Sequence, residues 1–239
     1  MTNAYTRPVA GPLEQALVGG RQTPGVVRVG NTVRRPLHAR SEYVHQVLCH
    51  LEAVGFAGAP RMLGVDADGR EVLSYIEGEV PDGSAVRFSN ARLQSATALI
   101  RRFHDATAGT ALAGGGEIVC HGDLGHHNMV FQGETAVGLI DWDDGVAPGS
   151  RLSDLAHAVW CFGAVGEDAL PVPDQANVVR LMCATYGWED PHAVIDEIAD
   201  RLRRARDDHA GHGRQKAVEC FEHMIRALDL AAPDLKARL

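Results

Sequence analysis

The spacing of apolar positions changes twice along the chain. From Leu17 to Pro36 they come in short runs: Val26-Val27-Arg28-Val29, then Gly30-Asn31, then Thr32-Val33-Arg34-Arg35. Two β-rich runs around a Gly-Asn pair predict a hairpin, and Pro36, which has no amide donor, ends its second strand. Between Ser41 and Val54 the period becomes helical. Val44, Val47, Leu48 and Leu51 recur three or four apart, and Gly55 closes the helix. Residues 60–65 and 71–76 read as strands on either side of the turn Asp66-Ala67-Asp68-Gly69. The first dozen residues read as a loose arm.

The acidic stretch 77–83, with its glycines and proline, marks a boundary. Beyond it Ser89 caps a helix whose Leu93, Ala96, Leu99, Ile100 and Phe103 share one face. Short strands at 118–120, 128–131 and 136–140 follow. Helices are then expected at 151–165, about 174–187, 191–208 and 214–229. The pattern predicts an α+β chain with a small β-rich lobe over 12–76, a linker at 77–83 and a larger, mostly helical lobe over 84–239.

Charge narrows the function. Among 239 residues, 31 are acidic and 23 are Lys or Arg, a formal net charge of −8. A nucleic-acid binder needs a cationic footprint, so nucleic-acid partners are not expected. No apolar run reaches the roughly 18–20 residues that cross a bilayer, so no membrane partner is expected. The five scattered cysteines form no CxxC pair and read as reduced thiols of a cytoplasmic protein.

The densest polar cluster is His121-Gly122-Asp123-Leu124-Gly125-His126-His127-Asn128, between two strand-like runs. A second, Asp141-Trp142-Asp143-Asp144-Gly145, follows the apolar run 137–140. Magnesium takes one or two carboxylates and an amide oxygen, with substrate phosphates completing its shell. Asn128 and Asp141 suit that inventory, which leaves Asp123 to orient a hydroxyl and accept its proton. Asp144, beside a glycine, reads as a turn residue. His126 and His127 are adjacent and diverge on an extended segment, so zinc is not expected. Arg201, Arg203, Arg204 and Arg206, interleaved with Asp200, Asp207 and Asp208, read as a salt-bridged, solvated helix face. Trp160 could line an acceptor cleft, although a Trp amid Leu155, Ala156 and Val159 also reads as core.

His121-Gly-Asp123-Leu-x-x-x-Asn128, followed by Ile140-Asp141-Trp142-Asp143 and by the segment 148–156, resembles the signature of the aminoglycoside phosphotransferase and choline kinase-like group. A narrower likeness, carried by residues 25–36, is to short bacterial trifolitoxin-immunity-like members. The resemblance implies a protein-kinase-like two-lobe fold with a reduced N-terminal lobe. It implies ATP and Mg²⁺ as cofactors and the hydroxyl of a small molecule as acceptor, such as an aminoglycoside or another amine-bearing compound. By the same resemblance Asp123 is the base, Asn128 and Asp141 hold magnesium, and His121 braces the loop. Asp154 holds that loop through its amides, Asp143 lies near the acceptor, and Ser74-Tyr75-Ile76 offers backbone hydrogen bonds to adenine.

The small lobe departs from the group's pattern. Where kinases place a phosphate-binding lysine on the third strand, this chain has Arg34 and Arg35, of which Arg34 is expected to point inward. On the next helix Glu42 comes early, and Val44 and His45 occupy the place of the lysine's acidic partner. Gly19-Gly20 is the candidate phosphate-covering turn. Loss of the lysine–glutamate pair motivates an alternative, a nucleotide- or ligand-binding immunity or resistance protein with little turnover. A hydrolase using an acidic Mg²⁺ site ranks third.

Overall fold

A computed structural model describes residues 14–17, 25–81, 87–143 and 145–239. Gly19, Gly20 and Asp144 lie outside the described residues, as does the end of the expected linker. The Gly30-Asn31 turn, with Gly30 at φ +59°, joins strands β2 (Val27–Val29) and β3 (Thr32–Pro36) as the pattern predicts. A strand not expected from the sequence, β1 (Glu14–Ala16), pairs with β2; its side chains are exposed and leave no apolar alternation to read. Helix α1 (Ser41–Ala53) buries Val44, Val47, Leu48 and Leu51. Strands β4 (Met62–Val65) and β5 (Arg70–Ser74) complete an antiparallel sheet of order β1-β2-β3-β5-β4.

After β5 the chain is stitched to the helical lobe. Glu79 and Phe131 exchange both backbone hydrogen bonds at 2.8 Å. Gly78 sits at φ +152°, and a Cβ there would lie 2.5 Å from the Phe131 carbonyl oxygen, so only glycine admits this approach. Helix α2 (Asn90–Thr107) begins where expected, with the Ser89 hydroxyl accepting from the Arg92 amide at 3.1 Å.

Two small hairpins hold the polar loops. Strand β6 (Ile118–Cys120) pairs with β9 (Ala147–Gly149), and β7 (Met129–Gln132) pairs with β8 (Thr135–Leu139). Residues 126–128, expected to open a strand at Asn128, form a 3₁₀ turn instead. Helices α3 (Arg151–Gly163), α4 (Val172–Tyr186), α5 (Pro191–Gly211) and α6 (Gln215–Lys236) close the lobe. Helix α6 outruns its expected end at 229 and carries Pro233 inside. Leu228 and Leu235, two turns apart, are both buried, and that burial outweighs the one backbone bond proline removes. The core continues from α1 through α2 and Trp142 into α3–α6.

Candidate active site

The loop after β6 turns sharply. Gly122 has φ +84°, and a Cβ on it would lie 2.3 Å from the Gly145 carbonyl oxygen, so the two polar loops touch backbone to backbone. The first turn of α3 secures this bend. Ser150 caps the helix by accepting from the Ser153 amide at 3.1 Å. Asp154, only 1% exposed, accepts from the amides of His121 at 2.8 Å and Gly122 at 3.0 Å. His104 Nε2 adds a third bond at 3.1 Å. Because a carboxylate only accepts, His104 carries its proton on Nε2, and its Nδ1 accepts from the Tyr186 hydroxyl at 2.6 Å. Burial pushes the Asp154 carboxyl up, but His104 and the neighbouring donors outweigh it and hold the group below the usual carboxylate range.

Asp123 stands just past this bend, its side chain 45% exposed. Asn128 Nδ2 donates to both its backbone oxygen, at 2.9 Å, and its Oδ2, at 2.8 Å. His157 Nε2, on α3, donates to Oδ1 at 2.8 Å, and His127 Nε2 lies 3.4 Å from Oδ2. Burial raises the Asp123 carboxyl, yet the bonds from His127 and His157 more than offset it and leave the group ionised far into acid. Burial lowers His157, which is therefore the neutral donor of this pair at neutral pH.

Asn128 also links the two clusters. Its carbonyl oxygen accepts from the Ile140 amide at 2.9 Å, so Asp141 follows directly. Asp141 has φ +64°, a left-handed conformation rare for a residue with a side chain, and its carboxylate is 42% exposed. Burial, then repulsion from Asp143, raises its carboxyl. Trp142 is fully buried beneath this turn, donating from Nε1 to the Leu139 oxygen at 2.8 Å and packing edge-on against Phe103 and His121. The His121 ring meets the Ile140 oxygen at 3.0 Å and so joins one polar loop to the other. Asp143 Oδ1 accepts from the Gly145 amide at 2.9 Å.

Across from these loops, the β3 arginines differ from expectation. Arg34 pairs with Asp66 at 3.3 Å. Arg35, 5% exposed, is the inward one: its Nε donates to Glu71, Nη1 lies 3.4 Å from Asp141 Oδ1, and Nη2 donates to the Trp142 carbonyl. The acidic partner thus comes from β5 rather than from α1. Ser74 and Tyr75 spend their amides on the oxygens of Arg61 and Asn31, each at 3.0 Å, which leaves Ile76 as the residue of that trio with a backbone amide to offer. Trp160 is half-buried against the core and stands edge-on to His157 at 5.7 Å.

Four contributors escaped the sequence reading: Glu71, His127, His157 and Arg201. His157 follows Asp154 by one helical turn, which places it on the face turned toward the loop; that spacing was an available signal. Arg201 does not belong to the solvated face assigned to it, because its Nη2 donates to the Gly122 carbonyl. Arg203, Arg204 and Arg206 do pair with nearby carboxylates as expected.

Among the described residues no group of three or more His, Cys, Asp or Glu is gathered as if for a metal ion. Asn128, with its amide nitrogen committed to Asp123, has only an oxygen to give a cation. With the Asp141 carboxylate that makes two hard oxygen donors, which suits Mg²⁺ brought with a nucleotide and does not suit a metal caged by protein alone.

A small antiparallel sheet with one helix, tied by a short connector to a helical lobe that presents two polar loops, is the two-lobe, kinase-like phosphotransferase fold. The phosphotransferase enzyme family model matches residues 30–195, and the chain belongs to that family. The trifolitoxin immunity protein of Rhizobium leguminosarum bv. trifolii is 35% identical over 198 residues, which span 73% of this chain and 74% of that protein. The GDP complex of aminoglycoside 2'-phosphotransferase-IIIa shares the fold with a TM-score of 0.63 at 14% identity, covering 95% of this chain and 94% of that one. Spectinomycin phosphotransferase APH(9)-Ia, solved with ADP and spectinomycin, gives a TM-score of 0.59 at 11% identity over 90% of this chain and 89% of its own. Plasmodium vivax ethanolamine kinase gives 0.57 at 10% identity over 90% and 80%. Among the described residues no helix is long and apolar enough to cross a membrane.

Proposed function

We propose that this protein transfers the γ-phosphoryl group of ATP to a hydroxyl of a small molecule, with Asp123 as the catalytic base. The observation that carries this reading is the convergence of Asp123, Asn128 and Asp141 through two hydrogen bonds, one between side chains at 2.8 Å and one between backbones at 2.9 Å. Asp123 keeps one face to solvent while His157 and Asn128 fix its two oxygens. A hydroxyl arriving at the exposed face is oriented by a carboxylate that stays ionised throughout the neutral range, and its proton passes to Asp123 as the oxygen attacks phosphorus.

Asn128 and Asp141 would hold Mg²⁺, which would neutralise charge on the transferring phosphoryl group. Arg35 would meet the phosphates from the small-lobe side. A guanidinium binds phosphate through two parallel N–H donors, so the missing lysine does not empty the position. The Ile76 amide is the donor that the connecting strand keeps for adenine. The alternative of a binding protein with little turnover rested on an absent cation–carboxylate pair, and Arg35 with Glu71 supplies such a pair.

The acceptor we infer is amine-bearing. A net charge of −8 biases the field toward cations, and the carboxylates of Asp141 and Asp143 lie at the same turn as the attacked phosphorus would. The test is ADP release with ATP, Mg²⁺ and a panel of amine-rich and neutral hydroxylated metabolites, run beside Asp123→Asn. Acceptor-dependent ADP that disappears in the variant is expected. Release that ignores the acceptor, or that survives in the variant, removes the proposal.

A further inference from the structure

The small lobe contains a buried polar chain that the transfer step leaves unexplained. Glu71 is 0% exposed at the middle of the sheet. Taking a carboxylate out of water costs several kcal/mol unless its oxygens are satisfied. Both are. Oε1 accepts from Arg35 Nε, its directly opposed neighbour in the β3–β5 register. Oε2 accepts from His45 Nε2 on α1 at 2.6 Å. Arg35 then extends its two terminal nitrogens to Asp141 and Trp142. One continuous path therefore runs from α1 through β5 and β3 to the turn that bears Asp141.

The geometry divides the labour within the guanidinium. Nε is committed inward to Glu71, so the planar fork cannot rotate, and both terminal nitrogens are directed across to the second lobe. The Nη1 contact to Asp141 is long at 3.4 Å, whereas the His45–Glu71 bond behind it is 2.6 Å. We propose that Glu71 is a positioning residue, which fixes the Arg35 fork toward the phosphates of a bound nucleotide, and that His45 ties the placement of α1 to the same fork. The inference rests on the nucleotide site proposed above. It predicts that Glu71 governs nucleotide affinity although it is sealed from the cleft, and that position 35 tolerates arginine only. A lysine has one nitrogen at its tip and cannot bind Glu71 side-on while reaching outward.

The experiment is calorimetric titration of the full chain with Mg·ADP, alongside thermal unfolding without nucleotide, for wild type, Glu71→Gln, Arg35→Lys and the double variant. Glu71→Gln keeps the shape and removes the charge; it is expected to weaken Mg·ADP binding about tenfold, equivalent to one lost charge-assisted bond. Arg35→Lys is expected to weaken it by a similar factor, and the double variant no further, because both changes free the same fork. His45→Phe leaves Glu71 and Arg35 in place and should weaken binding by about threefold, since one neutral bond is lost. If Glu71→Gln fails to fold, Arg35→Lys and His45→Phe carry the test. Variants that unfold earlier yet bind Mg·ADP like wild type, or losses that simply add, would overturn the inference and leave a structural ion pair. A wild-type chain that does not bind Mg·ADP would instead overturn the nucleotide site itself.

Discussion

Replacing Asp154 by Asn asks how firmly the bend that carries Asp123 is held. The carboxylate accepts three hydrogen bonds, from the amides of His121 and Gly122 and from His104 Nε2, with essentially no solvent contact. Asn supplies one acceptor oxygen. Placed at the Oδ2 position it keeps His121 and His104, and its NH₂ then faces the Gly122 N–H, donor against donor. One bond to a charged group is lost, worth about 1.5–3 kcal/mol, and the other two become neutral and weaker. The total is about 3 kcal/mol, at the lower edge of the range for breaking a buried charged pair. For a chain of this size that lowers Tm by roughly 6–12 °C.

Acid provides an internal control. The folded Asp154 carboxyl is held below its unfolded value, so its stabilisation is complete above the ordinary carboxylate range and fades as pH falls through the depressed folded value. Once it is protonated in both states it resembles Asn. The gap between wild type and variant should therefore be level from neutrality to about pH 5 and close in stronger acid. Urea unfolding followed by circular dichroism at several pH values measures this, provided the slope m is unchanged. A variant within about 0.5 kcal/mol of wild type, a difference typical of surface positions, or a gap that widens in acid, would refute the reasoning.

Gly122→Ala adds a methyl to a left-handed backbone that already abuts the Gly145 oxygen; it should destabilise by at least about 1–2 kcal/mol and abolish turnover, as read by thermal unfolding and ADP release. His157→Leu removes one donor from Asp123, which should raise that carboxyl by about one to two pH units and bring an acid limb up into the measurable pH–rate profile, with the neutral plateau lower and no change on the alkaline side. Chelating Mg²⁺ with EDTA should weaken ADP binding in wild type by more than in Asp141→Asn, in which one of the two oxygen donors has already lost its charge; calorimetry with and without chelator compares them.

What the sequence disclosed was what its spacing encodes. Asp123 and Asn128 lie five residues apart in one loop, and Asp141 follows a four-residue apolar run that ends a strand, so their grouping could be read without coordinates. The amphipathic helices were legible for the same reason, and Ser89 was legible as a cap because capping is decided within one turn. Strand β9 was not: Ala147-Pro148-Gly149 reads as punctuation, and its pairing with β6 becomes apparent only when the chain returns. Residues whose partners are distant in sequence were misread alike. Arg201 resembles its neighbours Arg203 and Arg204, yet those find Asp200 and Glu197 on their own helix, while Arg201 reaches a carbonyl 79 positions earlier.

Arg34 and Arg35 bring out the same limit and show why this lobe differs from the lysine-bearing pattern. A strand sends alternate side chains to opposite faces, so composition cannot choose between two adjacent arginines; register does. The β3–β5 ladder sets Arg35 directly opposite Glu71, and opposed residues on one face have Cβ atoms about 5 Å apart. At that separation a carboxylate meets the side of a guanidinium at Nε and leaves its end free. An ammonium has no side to offer. A lysine on β3 would need its acid near its tip, where only an element lying over the sheet could place one, and here α1 presents His45 in that region. Arginine on β3, glutamate opposite it on β5 and histidine on α1 are thus one arrangement. The single change Arg35→Lys would strand Glu71 with half its partners, a buried charge left uncompensated. The departures in the small lobe are mutually consistent substitutions that keep a cation directed at Asp141 by a different route.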